Sequence, residues 1–168
     1  MFIFRVVLIC LVFCQTSCSQ ENTRPLLLLN PTVYTGDSTV YENAALAFKN
    51  SNIVLLADAR LIRLDMSAYE LVEAFGLFVY PAALVRALPE HDEEHAYYIR
   101  LDEDTYLLVS TQTDTTLEVP VLQEGGEATF VVTSEAIDNN EPAIRYLVVK
   151  GRLKRENNVT LRPLVEEQ

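Results

Sequence analysis

Apolar and β-branched runs of four to eight residues recur between short turn signals, a length that suits strands better than helices. They fall at 26–29, 32–34, 44–48, 53–57, 60–64, 71–74, 97–101, 106–110, 117–122, 129–133 and 146–150. Asn50-Ser51-Asn52 separates two of them and predicts a tight hairpin, because asparagine tolerates positive φ better than most residues. Two stretches pull toward helix. Ser67 with Glu70 fits a capping box that Gly76 would close, but the same segment reads as a strand over 71–74 behind a short polar lead-in turn, and that reading is preferred. Residues 81–88 predict a helix: proline suits a first turn, Ala82 to Leu88 are good helix formers, and Pro89 stops them. No period of 20 to 50 residues repeats, which excludes a solenoid. The fold class expected is therefore mostly β, a small β-sandwich built from an N-terminal and a C-terminal block of strands, with one short helix near 81–88.

The first residues change the picture from fold to compartment. Arg5 precedes an uncharged apolar run from Val6 to Phe13 and then small and polar residues around Thr16 and Ser17, the layout of a secretory signal over 1–17 and not of a membrane span. All three cysteines (Cys10, Cys14 and Cys18) lie in or at the end of this segment, so the remaining chain has no disulfide, thiolate ligand or cysteine nucleophile. Gln15-Thr16-Ser17-Cys18 resembles a bacterial lipoprotein cleavage box with Gln15 at the usually aliphatic place. That implies a lipid anchor on Cys18; ordinary cleavage near Ser17 and an uncleaved segment are the alternatives. The expected localisation is export to a bacterial cell envelope, lipid-anchored or periplasmic.

The whole chain of 168 residues carries a formal charge of −11, and loss of residues 1–17 removes Arg5 and no acid, leaving 12 basic against 24 acidic residues. Such a total repels phosphate backbones, so nucleic acid is not expected as a partner. It also argues against a basic patch on an anionic leaflet and leaves Cys18 as the membrane contact. The span 24–168 suits one domain with a full core.

Asn30-Pro31-Thr32-Val33-Tyr34-Thr35-Gly36, Glu42 to Lys49, Ile53 to Leu56, Glu70 to Gly76 and Val79-Tyr80-Pro81 resemble, in that order, the opening of the amidohydrolase superfamily. Gly126 to Val132 and Ile144 to Arg152 resemble that family's C-terminal return to the same sandwich. Four of the five glycines, Gly36, Gly76, Gly126 and Gly151, fall on family turn positions. The resemblance implies a composite sandwich whose two blocks are normally separated by a metal-dependent (β/α)8 barrel of some 200 residues or more. Here a bridge, 82–125, stands in place of the barrel.

The family's hydrolytic chemistry does not carry over. Its first His-x-His ligands would fall at Ala87 and Pro89, and Ala82 and Val85 replace the glycine and aspartate before them. The chain has two histidines in all. His91-Asp92-Glu93-Glu94-His95 matches the His-x-x-Glu-His string of inverted zinc peptidases, making His91, Glu94 and His95 the metal candidates. Its place between Pro89 and the strand at Tyr97 favours a solvated acidic loop. Ser110, Ser134 and the stretch Thr111 to Thr116 lack a nucleophile elbow or a base. Asp102, Glu103 and Asp104 read as a hairpin tip rather than a carboxylate dyad, and Gly125-Gly126 as a turn rather than a phosphate loop. No cofactor is expected.

Three functions follow. The leading one is a non-catalytic exported structural or interaction module derived from the composite domain, with a protein partner on the former barrel-packing surface. If Tyr97, Tyr98, Tyr106 and Leu107 of the bridge cover that surface, the domain is self-sufficient instead. The second is one part of a split or truncated amidohydrolase acting on carbon–nitrogen bonds, with its barrel on another chain. The third is a small-ligand-binding envelope lipoprotein.

Overall fold

Some strands here are apolar on one face and some on both, and the difference sorts them into layers. A computed structural model describes residues 24–88, 96–111, 118–137, 142–155 and 161–163. Within them lie thirteen strands: β1 (Leu26–Leu29), β2 (Thr32–Tyr34), β3 (Val40–Tyr41), β4 (Ala44–Lys49), β5 (Asn52–Asp58), β6 (Glu70–Glu73), β7 (Phe78–Val85), β8 (Ala96–Arg100), β9 (Tyr106–Ser110), β10 (Phe130–Thr133), β11 (Ile144–Val149), β12 (Arg152–Arg155) and β13 (Arg162–Pro163). Four form one sheet in the order β5-β4-β1-β6. The other nine form a second sheet in the order β12-β11-β10-β7-β9-β8-β13, with β2 and β3 joined to the free edge of β7. The chain is mostly β, and its two sheets pack as a small sandwich.

The layer between the sheets is filled by the even positions of β4 and β1 (Leu46, Phe48, Leu28) against Val79, Phe130, Val132 and Val148. Phe48 and Phe130 meet edge to face, 5.4 Å between ring centroids, a geometry aromatic pairs favour. The odd positions, Leu27, Ala45 and Ala47, point to the opposite face of the four-stranded sheet. There Ile62, Leu64 and Tyr69 of the segment after β5 close over them. Residues 60–64 are thus not a strand, as their sequence suggests, but an irregular cover. Arg60 turns back on Asp58 through its backbone N–H (2.9 Å) and its guanidinium (2.6 Å), and Leu61 is left 83% exposed.

A second cluster lies on the far face of the larger sheet. Tyr97 and Ile99 of β8 and Leu107 and Val109 of β9 pack with Val131, Ile144 and Leu147 of β10 and β11. Strands distant in the sheet order therefore share one core, so the sheet curls about β7. Tyr80 anchors this cluster: its hydroxyl accepts the buried Ile137 N–H at 3.0 Å, and its ring stacks on Tyr34 at 4.7 Å.

The helix expected over 81–88 is absent; residues 81–85 continue β7. Around Pro81 both faces are buried, Val79 toward one core and Tyr80 and Ala82 toward the other, so no polar alternation marks the strand; from Ala82 to Val85 it is held by pairing with β9, with Leu84 exposed. Pro81 is tolerated because of where it falls. β2 pairs with Phe78 and Val79, and β9 takes over from Ala82 onward. Ala82 N–H donates to Thr129 across the β10 edge, so the Pro81 nitrogen faces the other edge, between the two ladders, and removes no bond from either. Residues 118–122 of the strand expected at 117–122 are also irregular, with Leu122 buried and its N–H donated to the Thr35 carbonyl at 2.8 Å. The lead-in turn before 71–74 is present as a 3-10 turn, Met66–Ala68, whose Ser67 N–H is accepted by Asp65.

Candidate functional site

Two tight hairpin turns, one from each sheet, meet at one end of the sandwich. The β4–β5 turn is Asn50-Ser51, bounded by the pair Lys49↔Asn52, and Asn50 has φ +54°. The β11–β12 turn is Lys150-Gly151, bounded by Val149↔Arg152, with φ +49° and +73°. Two successive positive φ values are the type I′ form of a two-residue hairpin; the Asn50-Ser51 turn has one, at Asn50.

The backbone of Ala128 ties the turns together. Its N–H donates to Ser51 carbonyl oxygen at 2.7 Å, and its own carbonyl accepts from Gly151 N–H at 2.8 Å. Gly125 and Gly126 continue the lacing by exchanging hydrogen bonds with Ile53, each 2.9 Å. Lys150 N–H donates to Thr129 Oγ1 at 3.1 Å, and the Thr129 hydroxyl donates to Glu127 Oε1 at 2.7 Å. The approach is so close that a Cβ on Gly151 would lie 1.2 Å from the Asn50 carbonyl oxygen. Only glycine fits there.

Between these turns and the start of β1 is a cleft of about 380 Å³, lined by Arg24, Lys49, Lys150 and Arg152 together with Leu26 and Phe48. Net charge argues against a basic patch on this chain, yet the fold gathers four of its 13 basic residues around one hollow, and no acidic residue lines it. None of the four forms a salt bridge with another described residue; the ion pair seen among those residues is Arg60–Asp58. Like charges converging with no acid among the lining residues raise the local positive potential, and a concave surface focuses it. The cleft can therefore hold an anion. Ser51 brings a hydroxyl to the rim, but no His, Asp or Glu lines the cleft to serve as its base. What lines the cleft is cationic side chains and apolar wall.

Cys18, the anchor candidate, and His91, Glu94 and His95, the metal candidates, lie outside the described residues, as do residues 112–117. Among the described residues no three His, Cys, Asp or Glu side chains gather to hold a metal ion. Asp102, Glu103 and Asp104 form the exposed tip of the β8–β9 hairpin. Asp102 accepts Asp104 N–H at 3.1 Å, and the Arg100 guanidinium donates to the carbonyls of Asp102 and Glu103 at 3.1 Å each. Hydrogen bonds from the Thr105 side chain, then from Asp104 N–H, hold the Asp102 carboxyl below the usual range. Ser110 is buried at the end of β9, and Ser134 Oγ reaches the Ala143 carbonyl at 3.4 Å.

Sequence reasoning marked none of the four cations as functional. The signal it had was basic residues flanking the turns Asn50-Ser51 and Lys150-Gly151. Their meeting, though, depends on the Ala128 clamp between positions a hundred residues apart. No protein-family profile, no curated protein and no solved structure matches the chain.

Proposed function

We propose that the protein is a self-contained, non-catalytic exported module, derived from the amidohydrolase composite sandwich, that works by binding. The observation that carries this reading is the hairpin β8–β9. It is supplied by the bridge 82–125, and its Tyr97, Ile99, Leu107 and Val109 are buried against Val131 and Leu147. A face closed by the chain's own aromatic and aliphatic residues does not need a separate barrel to cover it. The rim agrees: Tyr98 and Tyr106 meet edge to face at 6.2 Å, half-buried, across the same hairpin. Direct pairing of β10 with β7 joins the N-terminal and C-terminal blocks in one sheet, as a composite sandwich requires. The basic cleft gives the small-ligand form of this reading a place to act.

Light scattering and an apolar dye test the closure. The expected result is a monodisperse monomer that leaves the dye dark. Strong dye binding, or assembly with a barrel protein that restores carbon–nitrogen hydrolysis, would overturn the reading in favour of a split enzyme. So would a stoichiometric metal ion lost in both His91→Ala and His95→Ala.

A further inference from the structure

The cleft carries more than a general affinity for anions, because of where the chain enters it. Arg24, one of its four cations, is six residues after Cys18. Six residues fully extended span at most about 20 Å. A lipid on Cys18 would therefore hold the cleft within roughly that distance of the bilayer surface. Two acids adjoin the cleft without lining it: Glu70, the register partner of Leu26, and Glu127, which accepts from the Thr129 hydroxyl that Lys150 N–H reaches. At physiological ionic strength, exposed charges farther than about 8 Å from a surface are largely screened, so the contacting residues decide the sign of the interaction.

We propose that the cleft docks the domain onto the membrane by taking the phosphate of an anionic phospholipid headgroup between Arg24, Lys49, Lys150 and Arg152. Leu26 and Phe48 offer apolar wall to the adjoining glycerol and first methylenes. The inference rests on the binding reading above and on the leader expected over 1–17, and it names the ligand of that reading. Tethering would add effective concentration to an affinity for the headgroup that the cleft has on its own.

The test uses the chain from residue 19 onward, without leader or lipid. It retains every described strand, since the first begins at Leu26 and the last ends at Pro163. Sedimentation is compared with vesicles of phosphatidylcholine alone and of phosphatidylcholine mixed with phosphatidylglycerol. Binding is expected to the mixed vesicles only, and to weaken as salt rises. Each basic residue close to an anionic surface contributes roughly a fivefold change in partition, so Lys49→Ala with Arg152→Ala should reduce it about 25-fold. Lys150→Asn keeps a residue that tolerates the turn's positive φ and should reduce it about fivefold. Arg145→Ala, an exposed position at the opposite end of β11 from Lys150, should leave it unchanged, and thermal melts of all variants separate lost charge from lost fold.

A parallel titration with inorganic phosphate distinguishes the sources. Cleft-dependent phosphate binding without vesicle binding would sink the membrane inference and keep the binding module. Vesicle binding that survives loss of the cleft charges would overturn the inference by placing the contact elsewhere. Binding to neither probe would remove both the inference and the cleft as the site of the proposed function.

Discussion

Gly151→Ala tests the junction on which the cleft depends, and its size can be worked out from two separable effects. Gly151 has φ +73°, and an alanine held in that left-handed region costs about 1–2 kcal/mol. The new Cβ would also sit 1.2 Å from the Asn50 carbonyl oxygen and 2.3 Å from its carbon, both backbone atoms that no rotamer change can withdraw. Ordinary contact requires the two turns to separate by roughly 2 Å. That separation breaks Gly151 N–H to Ala128 and Ala128 N–H to Ser51, now 2.8 and 2.7 Å. Each such loss costs on the order of 1 kcal/mol, and more if the freed group stays dry. Together the effects predict about 3–5 kcal/mol of destabilisation and, for a domain of this size, a melting temperature lower by about 10 °C. Gly76 supplies the control. It has the same φ of +73°, and a Cβ added there would meet nothing within 4 Å, so Gly76→Ala should lose only the conformational part, about 1–2 kcal/mol. Urea unfolding of both variants measures the difference directly. Equal losses would refute the close-approach argument. Gly151→Asn, which relieves the φ penalty but not the collision, should be nearly as damaging as alanine.

Three further outcomes are expected. Leu107→Ala, fully buried in the cluster that the β8–β9 hairpin completes, should cost about 2–5 kcal/mol in urea unfolding; a loss below about 1 kcal/mol would mean the hairpin is a loose appendage rather than part of the core. Tyr80→Phe keeps the stack on Tyr34 but leaves Ile137 N–H without its 3.0 Å acceptor, predicting about 1–3 kcal/mol by the same assay. The Arg60 side chain, with its backbone N–H second, lowers the Asp58 carboxyl to about 2. Because the folded pKa lies below the ordinary value near 4, the pair stabilises the fold above that value and the contribution is lost as pH falls from about 4 toward 2. Carbon-detected NMR titration should find the depressed midpoint, and Asp58→Asn should flatten stability across that window; a midpoint near 4 would contradict the bidentate pair.

Local chemistry made much of this legible. β1, β2 and β9 begin and end where their apolar runs do, and the Asn50-Ser51 turn sits where asparagine next to serine interrupts two such runs. Segments whose state depends on what covers them were harder to read. Arg60 to Leu64 has the composition of a strand, but Asp58 captures Arg60, and Ile62 and Leu64 serve better as a lid on Leu27 and Ala47. The short strands Val40–Tyr41, Arg152–Arg155 and Arg162–Pro163 exist because a partner edge was open to them, and edge strands tolerate polar sequence that carries no periodic signal.

By itself the sequence determined the apolar runs, the Asn50-Ser51 turn and the acidic total, since each rests on residue identity and spacing alone. Tertiary structure decided the rest. It made 81–85 a strand by burying both faces around Pro81 and pairing Ala82 to Val85 with β9, and it folded the β8–β9 hairpin back onto β10 and β11. It also concentrated Arg24, Lys49, Lys150 and Arg152 in one cleft of an acidic protein. Net charge is a sum over the chain, blind to position; the potential at a surface depends on distance, and distance is set only when the two turns are clamped together through Ala128.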